Sequence, residues 1–310
     1  MKACLLGWEA VTSRPGSRVS RDLTGYALVG AAATLWGSLS VVVKLLLTSG
    51  IAPITLVSVR SFLAFLLLTA ALALGARGLL RIGWHDLPYF AILGIVGMAL
   101  TNAAYYFTLT QIPVAVALLI QYTSPLMILG ASALIWGEPI RRRDLGGALL
   151  ALLGCALVIR VYDPAALRLN ALGVLAGLFS ACAFAFYNLW GKLGTNRFSP
   201  WTMLVYTWAF ATAFWLPVSP PWRFLLEAHP GWTWAGVGAV VVAGTILPFG
   251  LYLAGLARMS AAHANLTSTV EPLVAALTAF LILGETLAIP QLLGGVLILM
   301  GIGLIHGRAG

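Results

Sequence analysis

Ten apolar runs, each near the length of a membrane-spanning helix, follow one another along this chain with short polar connections. They lack the period-two alternation of strands in membrane barrels. We therefore predict an all-α integral membrane protein with ten transmembrane helices. The runs are Leu23–Leu47, Ile54–Leu74, Leu87–Thr108, Pro113–Trp136, Leu145–Val161, Ala171–Trp190, Pro200–Leu216, Trp232–Leu256, Ala261–Leu283 and Ala288–Ile305.

The charge content agrees with a membrane protein. Only 9% of the residues are Asp, Glu, Lys or Arg, and the mean hydropathy is +0.97, whereas soluble domains carry about 25% charged residues. The net charge of +9 would suggest nucleic acid in a soluble protein. Here the basic residues lie at the ends of the apolar runs, so we expect a lipid bilayer as partner and no nucleic acid.

The cysteines give no sign of a metal or redox centre. Cys4, Cys155 and Cys182 form no CxxC pair and no Cys/His spacing typical of metal sites. We expect no metal and no cofactor.

Lys and Arg are distributed unevenly between the two sides of the predicted membrane. With the N-terminus inside, the inner segments hold thirteen of them and the outer segments three. The positive-inside rule then predicts a multi-pass protein of the cytoplasmic (inner) membrane with both termini in the cytoplasm. Residues 1–22, which include Arg14, Arg18 and Arg21, are predicted to form a flexible basic tail.

The sequence contains an internal repeat. A shift of 147 residues aligns Ile112–Val158 with Met259–Ile305 without a gap. We infer a duplication with copies at 23–161 and 171–306. Each copy holds five spans, an odd number, so the second copy must enter the membrane from the opposite side; such inverted repeats are typical of secondary transporters. The matched residues are Pro125 and Pro272, Gly137-Glu138 and Gly284-Glu285, Gly147 and Gly294, Gly154 and Gly301, and Tyr105 and Tyr252.

The same residues carry a family resemblance. Tyr122-Thr-Ser-Pro125 followed by Trp136-Gly-Glu-Pro139, and Val270-Glu-Pro272 followed by Gly284-Glu285, resemble the EamA-type signature of the drug/metabolite transporter superfamily. Arg60 and Trp36-Gly37 are similar to features of the family's second and first spans. The resemblance covers about residues 23–306 and implies ten helices around a central cavity, as two inverted five-helix halves. Members export or import amino acids, small metabolites, sugars or drugs, and relatives move lipid-linked sugars.

Two charged residues lie within predicted spans. Glu271 lies near the middle of the ninth run, where a carboxylate costs several kcal/mol unless it is paired, hydrated or protonated. It could carry a proton or bind a cationic group of the substrate. It could instead be a structural acid held by Arg60 or by backbone groups near Pro272. Arg60 could bind a substrate carboxylate or phosphate, extend toward the outer interface, or pair with Glu271.

Polar and aromatic side chains in other runs complete the candidate substrate site. Their alternative role is hydrogen bonding or packing between helices. Pro125 and Pro272 could form hinges or static kinks. His263, at the inner end of the ninth run, is interpreted as an interfacial residue rather than a proton relay. The candidate substrate-binding residues are Trp36, Asn102, Tyr105, Gln121, Tyr187, Asn265 and Glu271.

We predict a secondary transporter that moves a small polar or amphipathic metabolite, an amino acid or related compound first, by alternating access. The direction of transport and coupling to protons stay open. The alternative is a membrane-embedded enzyme or a flippase acting on lipid-linked substrates. The sequence has no HExxH, no GxSxG and no intramembrane Asp pair, so we do not expect an enzyme. One chain holds both copies and suffices as a monomer, although a dimer is also compatible with the sequence.

Overall fold

The computed structural model describes residues 15–137, 139–162, 170–284 and 286–306, which form helices, turns and loops without any strand. Two π-helical segments, Leu93–Leu100 and Val242–Ile246, join α-helices that precede and follow them. Short 3-10 turns lie at Arg77–Leu80 and Trp84–Asp86. The α-helices are α1 (Pro15–Thr48), α2 (Pro53–Gly75), α3 (Leu87–Ile92), α4 (Thr101–Gln111), α5 (Val114–Gln121), α6 (Ser124–Trp136), α7 (Arg142–Val158), α8 (Ala171–Gly194), α9 (Pro200–Val218), α10 (Pro221–Leu226), α11 (Gly231–Val241), α12 (Leu247–Leu256), α13 (Ala261–Ser268), α14 (Glu271–Leu283) and α15 (Ile289–His306).

Seven helical stretches of the described chain are long and apolar enough to cross a membrane, which makes this an all-α, multi-pass membrane protein. The fifth, seventh and tenth predicted runs, now α7, α9 and α15, are not among the seven. α7 has 17 residues and opens with the charged residues Arg142, Arg143 and Asp144, which shortens its apolar part. The seven stretches are Leu23–Thr48, Pro53–Gly75, Trp84–Gln111, Val116–Trp136, Ala171–Gly194, Gly231–Leu256 and Ala261–Leu283.

The first helix is longer than the first predicted run. It begins at Pro15 rather than at Leu23, so residues 15–22 of the predicted tail are helical. Once a helix is nucleated, each added residue contributes a backbone hydrogen bond at small cost, and an apolar helix therefore extends readily into polar sequence. Residues 1–14 of the predicted tail lie outside the described residues.

Two of the predicted runs are broken at their middle. The fourth run divides into α5 and α6, and the ninth into α13 and α14. The bounds of the second pair are those of the first pair moved by 147 residues. In both pairs the second helix begins one residue before a proline, Pro125 or Pro272, and proline is favoured in a first helical turn because its missing N–H has no partner there.

Other features recur at the same spacing. α6 and α14 both end at a left-handed glycine, Gly137 with φ 67° and Gly284 with φ 69°. The π-helical segment Val242–Ile246 lies within the residues that the 147-residue shift places opposite Leu93–Leu100. The left-handed glycines and the π-helical segments therefore occur at equivalent positions in the two copies.

α7 and α15 pack closely through glycines. A Cβ built on Gly147 would lie 2.7 Å from the Gly301 carbonyl oxygen, and one on Gly154 would lie 2.5 Å from the Gly294 oxygen. The reverse contacts, from Gly301 to Gly147 and from Gly294 to Gly154, are both 2.6 Å. Only small residues permit such backbone approach between helices in a membrane. The pairing order shows that α7 and α15 run antiparallel.

Candidate substrate-binding site

Aromatic rings from four helices meet around Phe249 in the interior of the bundle. The Phe249 ring centroid lies 4.9 Å from that of Trp36, 5.4 Å from that of Trp208 and 6.5 Å from that of Tyr187. Tyr252 lies 5.6 Å from Trp36. These five residues, here called the Phe249 cluster, bring together α1, α8, α9 and α12. Trp36 and Phe249 keep part of their surface exposed, whereas Tyr187, Trp208 and Tyr252 are buried.

Several buried polar atoms of this region have no hydrogen-bond partner. They are Trp36 Nε1, Trp208 Nε1, the Tyr187 hydroxyl and Arg60 Nε. Leaving a buried polar group unsatisfied costs about 1–3 kcal/mol. Three of the four groups are N–H donors that cannot accept a hydrogen bond. The chemistry that such donors bind is an acceptor, such as a carboxylate.

Arg60 adds a full positive charge to this donor set. Its guanidinium carbon lies 5.9 Å from the Trp208 ring centroid, and its Nη2 donates to Asn102 Oδ1 at 2.9 Å. Asn102 in turn donates through Nδ2 to the Met98 carbonyl at 2.7 Å, which fixes the orientation of its amide. Asn102 thus holds one edge of the guanidinium and leaves its other N–H groups for a ligand.

The predicted ion pair between Arg60 and Glu271 does not form in this structure. α2, which carries Arg60, packs against α9, α10 and α11, whereas α14, which carries Glu271, packs against α1 and α7. The two helices therefore pack mainly against different neighbours, and no local pattern in the sequence indicates that difference.

Glu271 opens α14 at the break of the ninth run and stays partly exposed. Tyr105, Tyr122 and Cys155 lie within electrostatic range of its carboxylate. Its backbone carbonyl lies against α1, because a Cβ on Gly37 would come within 2.7 Å of that oxygen. Among the described residues no cation or hydrogen-bond donor pairs with the carboxylate, which leaves it available for a proton or an ammonium group.

Two further predicted residues join helices to one another. Asn265 Oδ1 accepts a hydrogen bond from Ser124 at 2.9 Å, and its Nδ2 is buried without a partner. Gln121 Oε1 lies 3.0 Å from the Ser180 hydroxyl. The Ser124–Asn265 bond connects the break in one copy of the chain to the corresponding segment of the other copy, so these polar residues serve at least in helix association.

Sequence reasoning missed Trp208 and Phe249. Both lie in continuous apolar runs. In such a run the local sequence does not show whether an aromatic side chain contacts a substrate or packs against other helices. The one signal available was Arg60, since a guanidinium within a span requires partners and aromatic faces are favoured ones.

The fold and site together define a class of protein: a multi-pass helical membrane protein with broken helices and an internal polar and aromatic site. Residues 23–160 and 171–307 match the EamA-like transporter family. The chain belongs to this family of transporters.

Individual proteins agree with the family. The chain is 30% identical, over 90% of its length and 94% of the other, to an uncharacterized transporter of Archaeoglobus fulgidus. It is 26% identical to a protein of Streptantibioticus cattleyicolor described as "Probable terminal-alkyne amino-acid exporter", covering 77% of this chain and 79% of that one. A solved crystal structure shares the fold with a TM-score of 0.77 at 21% identity, covering 93% of this chain and 96% of the other.

Proposed function

We propose that this transporter is a secondary carrier for a small zwitterionic metabolite, an amino acid or close relative, working by alternating access between two inverted halves. The observation that carries the proposal is the Phe249 cluster with its unpartnered donors beside Arg60. A site built mainly of donors and aromatic faces suits a ligand with a carboxylate and an apolar body.

The two halves are proposed to be 23–161 and 171–306, each a five-helix unit, with α7, α9 and α15 completing ten spans. The glycine contacts support inversion. Under the 147-residue shift Gly147 corresponds to Gly294 and Gly154 to Gly301, while the contacts pair Gly147 with Gly301 and Gly154 with Gly294. Such reciprocal pairing is what a twofold axis produces. For two antiparallel helices that axis is perpendicular to both, so it lies in the plane of the membrane that they cross.

Arg60 and Glu271 are proposed to have different roles in binding. Arg60 and the indole N–H groups of Trp36 and Trp208 bind the carboxylate by charge-assisted and neutral hydrogen bonds. Glu271, next to Tyr105 and Tyr122, carries a proton or binds the ammonium group. Discontinuous helices whose ends face the interior are typical of substrate sites in carriers, and Glu271 opens such a helix.

The cellular setting and direction are also proposals. We propose that both termini lie in the cytoplasm of a cell whose inner membrane holds the protein, with support from the excess of Lys and Arg on one side. We propose export as the physiological direction, with support from the exporter description of a relative that is 26% identical. One chain contains both halves and all site residues, so a monomer suffices.

Uptake by proteoliposomes tests the proposal. A pooled panel of labelled amino acids and small metabolites would be supplied with and without an imposed pH gradient. We expect saturable uptake of at least one amino acid by the wild type and a loss of at least about tenfold in Arg60→Gln, since a charge-assisted bond contributes about 1.5–3 kcal/mol.

Arg81→Gln is the matched control, because Arg81 is exposed and lies outside the described site. Size-exclusion profiles in detergent separate misfolding from lost transport. No uptake of any panel member by well-folded wild type would overturn the proposal and direct attention to lipid-linked substrates. Uptake that is unchanged in Arg60→Gln would remove Arg60 from the site.

A further inference from the structure

A cavity lies between α6, α7 and α13, and none of its lining residues belongs to the Phe249 cluster. Its volume is about 280 Å³. Pockets for complete drug-sized ligands measure about 300–1,000 Å³, so the size of this one suits a small group better than a large molecule. It is lined by Leu129, Ser132, Pro139, Ile140, Arg141, Asp144, Ser260, Ala262 and His263.

The cavity contains a buried acid that contacts one other helix directly and a second helix through a histidine. Asp144 on α7 is 8% exposed. Its Oδ1 lies 3.3 Å from His263 Nε2 on α13, and the other imidazole nitrogen, Nδ1, lies 3.1 Å from the Tyr26 hydroxyl on α1. Arg143 Nε lies 3.9 Å from the same carboxylate oxygen. This fixed carboxylate is a ready acceptor for an ammonium group, and it also opposes a purely anionic ligand.

Positive charge lies at the opening of the same cavity. Arg141 lines it and is exposed, and Arg142, also exposed, follows at the start of α7. Guanidinium groups bind phosphate oxygens with charge-assisted, often bidentate hydrogen bonds. An amine-binding carboxylate within the cavity and phosphate-binding arginines at its rim are the complement of a headgroup that joins a phosphodiester to a primary amine.

Exposed apolar side chains lie near the cavity along the chain. Ile140 forms part of the rim and is exposed, and Leu134 and Ile135 at the end of α6 are 89% and 65% exposed. Along α7, Leu145 and Leu149 are exposed on the helix that begins at the arginines. In a bilayer these surfaces face acyl chains, so a lipid whose headgroup entered the cavity would leave its tails against α6 and α7.

We propose that this cavity is a binding site for the headgroup of an ethanolamine phospholipid. The ammonium group donates to Asp144, the phosphodiester accepts from Arg141 and Arg142, and the acyl chains lie on the outer faces of α6 and α7. Basic pockets between transmembrane helices are known to take lipid headgroups; the buried Asp144 makes this pocket selective for a zwitterionic headgroup that retains N–H donors. The proposal requires membrane residence only and is independent of the substrate.

The test uses the full chain, purified in detergent and titrated with phospholipids of equal acyl composition, with bound lipid counted by native mass spectrometry. We expect phosphatidylethanolamine to bind about tenfold more tightly than phosphatidylcholine, because one charge-assisted hydrogen bond is worth that factor. The affinity should fall stepwise through the mono- and dimethylated headgroups, a series that needs no variant and therefore cannot fail through misfolding.

Two variants test which side chain binds the ammonium group and which binds the phosphate. Asp144→Asn should lose the preference for ethanolamine and gain affinity for phosphatidylglycerol, because the opposing charge is removed. Arg141→Gln should weaken all phospholipids alike, and Arg81→Gln should match the wild type. Equal binding of ethanolamine and choline lipids by the wild type would overturn the proposal. So would tighter wild-type binding of phosphatidylglycerol than of phosphatidylethanolamine, or an unchanged ethanolamine preference in folded Asp144→Asn.

Discussion

The two broken helix pairs, α5–α6 and α13–α14, have the same bounds after a shift of 147 residues but begin their second helices with different chemistry. α6 begins with Ser124, which is buried and donates to Asn265. α14 begins with Glu271, which is partly exposed and has no partner among the described residues. The backbone is thus duplicated while the chemistry is not. One copy uses the position to tie the two broken pairs together, and the other presents an acid to the interior.

The largest expected difference between the two positions is in transport. Glu271→Gln should lower proton-dependent uptake by about 100-fold or more, as expected when a proton-transferring group is lost, with little loss of folded protein. Ser124→Ala should keep most of the transport rate. Uptake in proteoliposomes, normalised to folded protein, measures both. Equal losses of uptake in the two variants, or a parallel loss of folded Glu271→Gln protein, would contradict the division of roles.

The contact between α1 and the start of α14 provides a stability test. Gly37→Ala should lower the free energy of unfolding by about 1–3 kcal/mol, because the new methyl group would lie 2.7 Å from the Glu271 carbonyl. Gly30→Ala on the same helix is the control, since nothing lies within 4 Å of its Cβ position. The control should be neutral or slightly stabilising. Thermal unfolding in detergent measures both, and a Gly37→Ala protein as stable as Gly30→Ala would show that this contact is loose.

The Ser124–Asn265 bond is expected to contribute less. Ser124→Ala should destabilise the protein by about 1 kcal/mol, the scale of hydrogen bonds between helices in membranes. Chemical or thermal unfolding in detergent gives the value. If Ser124→Ala and Asn265→Ala each destabilise and the double variant adds their effects in full, the two side chains are not coupled in the way that the structure shows.

An effect of similar size, expected to be equal in the two copies, concerns the backbone at the ends of α6 and α14. Gly137→Ala and Gly284→Ala should each cost about 1 kcal/mol, because both glycines have positive φ and nothing contacts their Cβ positions. The two shifts in unfolding midpoint should agree within error. A large effect at one position and none at the other would break the equivalence of the two copies at the level of the backbone.

The backbone plan was largely accessible from the sequence, whereas the site was not. Apolar run length predicted the helices, and Pro125 and Pro272 marked the breaks, because both signals are local. α7 is not among the seven stretches long and apolar enough to cross a membrane, because charged residues at its start shorten its apolar stretch. The Phe249 cluster depends on which faces of α1, α8, α9 and α12 meet. The local sequence therefore does not indicate that Trp208 and Phe249 belong to the cluster. The sequence suggests Glu271 as a partner for Arg60, whereas Arg60 contacts Asn102 in the structure.

Counterflow tests the central claim, a carrier that alternates access to one internal site, most directly. Proteoliposomes would be loaded with an unlabelled amino acid identified from the panel and diluted into a trace of the labelled compound without any ion gradient. A carrier should accumulate label transiently above its equilibrium level and then lose it, and Arg60→Gln should abolish the overshoot while Arg81→Gln keeps it. A monotonic approach to equilibrium, with the same rate at every internal concentration, would contradict alternating access and indicate a pore instead.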